Sequence, residues 1–311
     1  MTPVSHRKGD VVVVGSVAYD GIETPAEARD DVLGGSATYF SVAAGLFCTP
    51  HVVAVVGTDF KADDRRFLAE RGVGLEGLEV REGACFRWKG RYLDDFNRRE
   101  TLYTHLNVFE RFQPVIPPAW RGIPTVFLAN IDPDLQGRVL DAFPAPRLVV
   151  ADTMNFWITG KRASLDALLP RVHVLVVNDE EARLLTGEAS LPKALRRLGT
   201  LGPRAVVVKK GEHGAMLWAD GRPFYAPAWP LERVVDPTGA GDSFAGGFVG
   251  WLARLDRAPG PADLRRAMVA GSVVASFTCE GFGVDRLAAV SPAEYHARWV
   301  QYRDLTRVEE E

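Results

Sequence analysis

Asp236-Pro237-Thr238-Gly239-Ala240-Gly241-Asp242-Ser243-Phe244-Ala245-Gly246-Gly247-Phe248 is the most informative stretch of this chain. Val234 and Val235 lead into it as extended chain, and Pro237 blocks continuation of regular structure. Gly239 and Gly241 let the backbone turn so that free N–H groups point one way. A helix is expected from about Gly241, its unpaired amides and positive dipole end forming an anion hole. Asp242 falls in the first turn beside that hole, where a carboxylate is placed to accept the proton of an attacking hydroxyl. One segment therefore supplies a base and stabilisation for the charge on a phosphoryl group in flight. At an isolated helix start, the same residues often do no more than complement the dipole and allow close packing.

Outward from this string, short apolar runs recur at residues 11–14, 52–56, 126–128, 148–150, 174–177 and 205–208. Mostly β-branched and without polar alternation, they suit strands buried on both faces of a parallel sheet. Stretches of helical composition lie between them, among them 37–47, 62–70, 165–169, 180–185, 191–198 and 262–278. The alternation predicts a doubly wound α/β fold with a mostly parallel sheet flanked by helices, one unit over residues 1–311. Residues 84–112 break the pattern: Phe86, Trp88, Tyr92, Phe96, Tyr103, Phe109 and Phe112 interleave with Arg87, Lys89, Arg91, Arg98 and Arg99. Antiparallel strands with one wet face are expected there, a small β lid that also takes in part of 18–34. Such a lid would close over substrate and exclude water; its aromatics also suit simple anchoring, and the sheet is a candidate homodimer interface. The acidic Asp94, Asp95 and Glu100 argue against single-stranded nucleic acid as its ligand.

Other constellations sit at the ends of the expected strands. Gly34-Gly35-Ser36-Ala37 permits close backbone approach to a ligand, with Ser36 as a candidate helix cap. Asp20 follows the first strand, at the sheet edge where a carboxylate accepts hydrogen bonds from a polyol, although a plain surface aspartate fits as well. Asn178-Asp179-Glu180-Glu181 opens a helix, where acids are favoured by the dipole alone. Lys209-Lys210-Gly211-Glu212-His213-Gly214 reads as a strand end and tight turn; Lys209 suits either phosphate contact or solvent. Asp152 and Asn155, with Asn130 and Asp132, mark two further strand ends that reach toward the same edge.

Taken in order along residues 11–287, these segments resemble the PfkB-type carbohydrate kinase family with its ribokinase-like fold. The resemblance implies an ATP-dependent kinase that phosphorylates a hydroxyl of a small sugar or sugar-like substrate. Asp242 would be the base, and Gly239, Ala240 and Gly241 the anion hole. Asp20, Gly34 and Gly35, with Tyr39 and Asn155, would hold substrate. Tyr39 stands where the family carries an Asn that bonds vicinal hydroxyls, which leaves the identity of the substrate open. Asn178, Lys209, Gly211, Gly214 and Asp236 fall on the nucleotide side, and Glu181 would hold Mg2+ through water, a hard cation with few protein ligands. The segment around Glu280-Gly281-Phe282-Gly283 would flank adenine and supply carbonyls to a monovalent cation such as K+.

Composition narrows the alternatives. The 311 residues carry a net charge of −3, 25% charged and 47% hydrophobic residues, with no general attraction to nucleic acid or anionic membrane. Cys48, Cys85 and Cys279 form no Cys-x-x-Cys pair, and the polar N-terminus runs directly into residues 11–14, too short for a signal or a span. A cytoplasmic protein is expected. A P-loop is absent, the first strand is not followed by a dinucleotide fingerprint, and six scattered His do not suggest a metal hydrolase. A nucleoside kinase remains as the alternative, since Tyr39 and the aromatic lid offer rings to stack on a base. A catalytically silent ligand sensor on the same fold is the other; it would have no need of Asp242.

Overall fold

Six runs of β-branched residues form the centre of a nine-stranded sheet: β1 (Asp10–Val14), β4 (Thr49–Gly57), β8 (Thr125–Leu128), β9 (Leu148–Asp152), β10 (Val174–Asn178) and β11 (Ala205–Lys209). The computed structural model describes residues 9–93, 96 and 98–308. The N-terminal eight residues and the Asp94 and Asp95 invoked above lie outside the described residues. With β5 (Gly74–Arg81), β12 (Ala215–Ala219) and β13 (Arg222–Ala226), the order is β13-β12-β11-β10-β9-β8-β1-β4-β5. All neighbours pair in parallel except β11 with β12 and β12 with β13.

The chain runs from β1 out to β5 and then returns to the other side of β1 through β8, so strand order reverses between β1 and β8. At such a reversal the carboxyl ends of the strands leave a crevice for ligands. Successive β1 residues feed opposite cores. Val11 and Val13 pack toward α1 (Ser36–Ala44), α2 (Ala62–Glu70), α8 (Ala240–Ala253), α9 (Pro261–Thr278), α10 (Asp285–Ala288) and α11 (Pro292–Thr306). Val12 and Val14 pack toward α3 (Pro133–Asp141), α5 (Arg162–Leu168), α6 (Asp179–Thr186) and α7 (Leu191–Leu198), with α4 (Asn155–Gly160) leading into that layer. The doubly wound, mostly parallel sheet expected from the sequence is the one observed.

A second sheet has the order β3-β2-β6-β7, from β2 (Ala18–Glu23), β3 (Ala28–Gly34), β6 (Phe86–Tyr92) and β7 (Arg99–His105). It departs from the purely antiparallel expectation, because β2 and β6 pair in parallel. Phe112 also leaves the lid: its ring is buried in the core beneath β1 and β4, with Phe109 and Val108 packed against that core. Two local expectations change as well. Val234 and Val235 join neither sheet, and the Val235 N–H instead donates to the Cys279 carbonyl at 2.8 Å. Ser36 does not cap α1; Gly35 occupies the cap, and Ser36 Oγ accepts the Ser16 N–H at 3.2 Å. Among the described residues no helix is long and apolar enough to cross a membrane.

Candidate active site

Gly239 occupies the N-cap of α8 with φ 74°, a left-handed conformation that glycine adopts without a Cβ penalty. A Cβ there would stand 2.3 Å from the Tyr39 ring, so the residue is fixed by close approach as well as by the turn. The Ala240 N–H bends back to the Pro237 carbonyl at 3.1 Å, which turns it away from the anion-binding part expected of it. Among the described residues no protein acceptor takes the Gly241 and Asp242 N–H groups. Asp242, partly exposed, lies in the same first turn.

The carboxyl ends of β9 and β11 and the first turn of α6, which follows β10, deliver Asp152, Lys209 and Glu181 to this turn. Lys209 Nζ lies 3.2 Å from Asp152 Oδ2 and would be 3.2 Å from a Cβ on Gly241, so the ammonium faces the start of α8. Lys209 is therefore not a solvated turn residue. Burial pulls its pKa down, but the charges of Asp152, Glu181 and Asp242 outweigh this and hold it above its usual value. Asn178 and Glu181 form a capping box on α6: the Asn178 N–H donates to Glu181 Oε2 at 2.7 Å, and the Glu181 N–H to Asn178 Oδ1 at 2.8 Å. Burial, then the Asp152 charge, push Glu181 up to about 8. Burial and Asp152 likewise raise Asp242, while Lys209 and Arg99 pull it back, leaving it at about 6. A base poised just below neutrality is suited to taking a proton.

Asp20 lies on lid strand β2 rather than in a loop, and is 5% exposed. Its carboxylate rests on Gly34, where a Cβ would overlap Oδ2 at 2.0 Å, which is why the end of β3 needs glycine. Burial raises Asp20 to about 7, reinforced by Asp236 and Asp242 and opposed by the Gly35 N–H and by Arg99. Tyr39 is 1% exposed, and its hydroxyl has no partner among the described residues. Asp236 corrects an expectation: it is fully buried, with Oδ1 accepting the Thr238 N–H at 2.8 Å and Oδ2 the Gly283 N–H at 3.3 Å. It shapes the loop and does not face the cleft.

The structure thus brings Asp20, Gly34, Tyr39, Glu181, Lys209, Gly239, Gly241 and Asp242 into one neighbourhood. Gly35 at the cap of α1 and Asn178 at that of α6 belong to it through the backbone. Gly211 and Gly214 bracket the turn between β11 and β12, one turn beyond Lys209. Asn155 stands exposed at the start of α4, Asn130 Oδ1 accepts the Trp157 indole N–H at 2.9 Å, and Asp132 caps α3. Asn130 and Asp132 thus serve local structure. Arg99 was missed by the sequence reading: it sits opposite Tyr92 in the β6–β7 register, with its guanidinium 4.9 Å over the Trp88 ring. Its alternation with aromatics marked the lid but gave no sign of which arginine's charge acts on Asp20 and Asp242.

Residues 147–289 match the pfkB family of carbohydrate kinases. The chain is 36% identical over 282 residues to the 2-dehydro-3-deoxygluconokinase of Thermoproteus tenax, spanning 84% of this chain and 83% of that protein. The chain belongs to the PfkB family. This kinase is also 28% identical over 251 residues to the cytidine kinase of Thermococcus kodakarensis, covering 79% of its own length and 89% of the relative. Its fold matches the crystal structure of the Methanocaldococcus jannaschii nucleoside kinase, a member of the ribokinase family, with a TM-score of 0.75 at 21% identity over 96% of this chain and 100% of that one. As a PfkB-family enzyme it is an ATP-dependent kinase.

Proposed function

We propose that the kinase transfers the γ-phosphoryl group of ATP to a hydroxyl of a small sugar or sugar acid held between Asp20 and the Gly34–Gly35 turn. Asp242 takes the proton of that hydroxyl. The Gly241 and Asp242 N–H groups, the α8 dipole and Lys209 receive the charge of the transferring group. The observation that carries this reading is the shared first turn: Asp242 stands beside amides with no protein acceptor, with Lys209 Nζ turned to the same spot.

Magnesium fits the residues present. Glu181, Asp152 and Asp242 all act on Lys209, an excess of negative charge over positive at the edge where phosphates would lie. A hard cation of this kind keeps several waters and needs few protein ligands. Glu181 and Asp152 are the side chains that would hold it, and when bound it offsets phosphate charge. The lid carries Asp20 and Arg99 over the cleft, and its closure would exclude water from the reacting group.

A nucleoside acceptor is the second reading, favoured by the Trp88 ring, which pairs with Asp20 across the lid strands and shares its face, and by the cytidine kinase relative. Coupled ADP release with MgATP, measured across sugars, 2-dehydro-3-deoxygluconate and nucleosides, decides between them. Turnover is expected with one class, and Asp242→Asn should reduce it by at least about a hundredfold while the protein stays folded. Near wild-type turnover in that variant would remove Asp242 from the chemistry. Acceptor binding without any ADP release would instead indicate a sensor.

A further inference from the structure

Apart from the two cores on either face of the main sheet, a third apolar cluster joins the lid to the α/β body. Ile22 of β2, Tyr92 of β6 and Phe282 after α9 are buried in it, with Val32 of β3, Phe96 and Val235 packed against them. Three lid strands thus meet the two turns that precede and follow the α8–α9 pair. At this junction one buried hydrogen bond crosses from body to lid: the Thr238 hydroxyl donates to Tyr92 Oη at 3.1 Å. Thr238 is also tied by its N–H to Asp236 Oδ1 at 2.8 Å, and Asp236 Oδ2 accepts the Gly283 N–H at 3.3 Å. The next residue after Thr238 is Gly239, the cap of α8. Opposite Tyr92 on β7 stands Arg99, whose charge reaches Asp20 and Asp242.

We propose that Tyr92 is a positioning residue for phosphoryl transfer: with the lid seated, its hydroxyl holds Thr238, and thereby the loop that presents the Gly241 and Asp242 amides. The same seating brings Arg99 to the base. Lid position and anion-hole geometry are therefore one coupled variable, and a substrate that seats the lid also completes the site. This rests on reading residues 239–242 as the phosphoryl-receiving turn. A ring that only anchored the lid would pack equally well without its oxygen, so the hydroxyl is the atom to remove.

Tyr92→Phe keeps the ring in the cluster, and Thr238→Val removes the other partner. Hydrogen exchange followed by mass spectrometry on the full-length, ligand-free protein reads the loop without needing an acceptor. A peptide spanning 236–242 should exchange several-fold faster in either variant and no faster in the double variant, while a peptide from β10 is unchanged. With the acceptor found by the ADP-release panel, kcat should fall roughly two- to tenfold, the range of one net hydrogen bond, with KM for MgATP unaltered. Thr238→Ser should restore both readouts. Wild-type exchange in the loop, additive effects in the double variant, equal acceleration in β10, or an unchanged kcat would each overturn the proposal. A failed substrate panel leaves the exchange result standing, so failure of the latch and of the substrate reading are distinguishable.

Discussion

Asp242 illustrates how position decides chemistry at the level of one residue. An aspartate in water would be fully ionised at neutral pH and a poor base, whereas burial first, and the Asp152 charge second, bring this one to about 6. Turnover per enzyme, as kcat/KM, should therefore fall as pH drops through about 6, where the carboxylate gains its proton. Lys209 and Arg99 hold the value down, so Arg99→Met should move the acidic limb to higher pH and lower activity at neutrality. A pH profile that coincides with wild type would show that the Arg99 charge does not reach the base. Asp242 was legible because a helix start and a glycine turn are local patterns. Arg99 was not, because only the β6–β7 register selects it from among its basic neighbours.

Among the elements, α6 shows a helix end serving two needs at once. Asn178 and Glu181 satisfy two orphan N–H groups reciprocally, and the same carboxylate is pushed up to about 8 by burial and by Asp152. Glu181→Gln preserves the cap, since glutamine also accepts in a capping box, but removes the carboxyl that a bound cation would draw into its ionised form. The expected result is a melting temperature at neutral pH at or above that of wild type, since the buried carboxyl no longer ionises, and a magnesium titration of turnover displaced to higher concentration; a superimposable titration would exclude Glu181 from the metal. Elements with strong apolar runs, such as β10 and β11, were readable to within a residue or two. By contrast β5, mostly half-buried or exposed and interrupted by two glycines and two glutamates, was not read, nor was the β12–β13 hairpin, where the apolar run of β12 has no β-branched residue and β13 is largely exposed. The β2–β6 pairing was hidden for a different reason: it joins segments more than sixty residues apart, and no local signal sets a parallel register.

For the molecule as a whole, the consequence of gathering acids at one sheet edge is a stability that depends on pH. Asp20 brings the clearest case. Its carboxyl is raised to about 7 by burial, then by Asp236 and Asp242 against the Gly35 N–H and Arg99, while an unfolded chain returns it to about 3.9. The native state therefore binds the proton that the unfolded state has released, and stability from this group is complete below about pH 4 and lost as pH rises through about 7. Above that, the ionised group costs on the order of 4 kcal/mol, the free-energy equivalent of about three pKa units. Asp20→Asn keeps the shape and an acceptor for Gly35 but cannot ionise. Its melting temperature should exceed that of wild type at pH 8, and the difference should shrink through pH 6 and disappear near pH 4. Using the difference between the two proteins removes the contributions of His173, which burial and Arg204 hold below its usual value, and of the other raised acids. A difference that does not change with pH would mean that Asp20 ionises in the fold as readily as in the unfolded chain. In that case it would grip substrate as an ionised hydrogen-bond acceptor, and acceptor affinity would fall only as pH drops toward about 4.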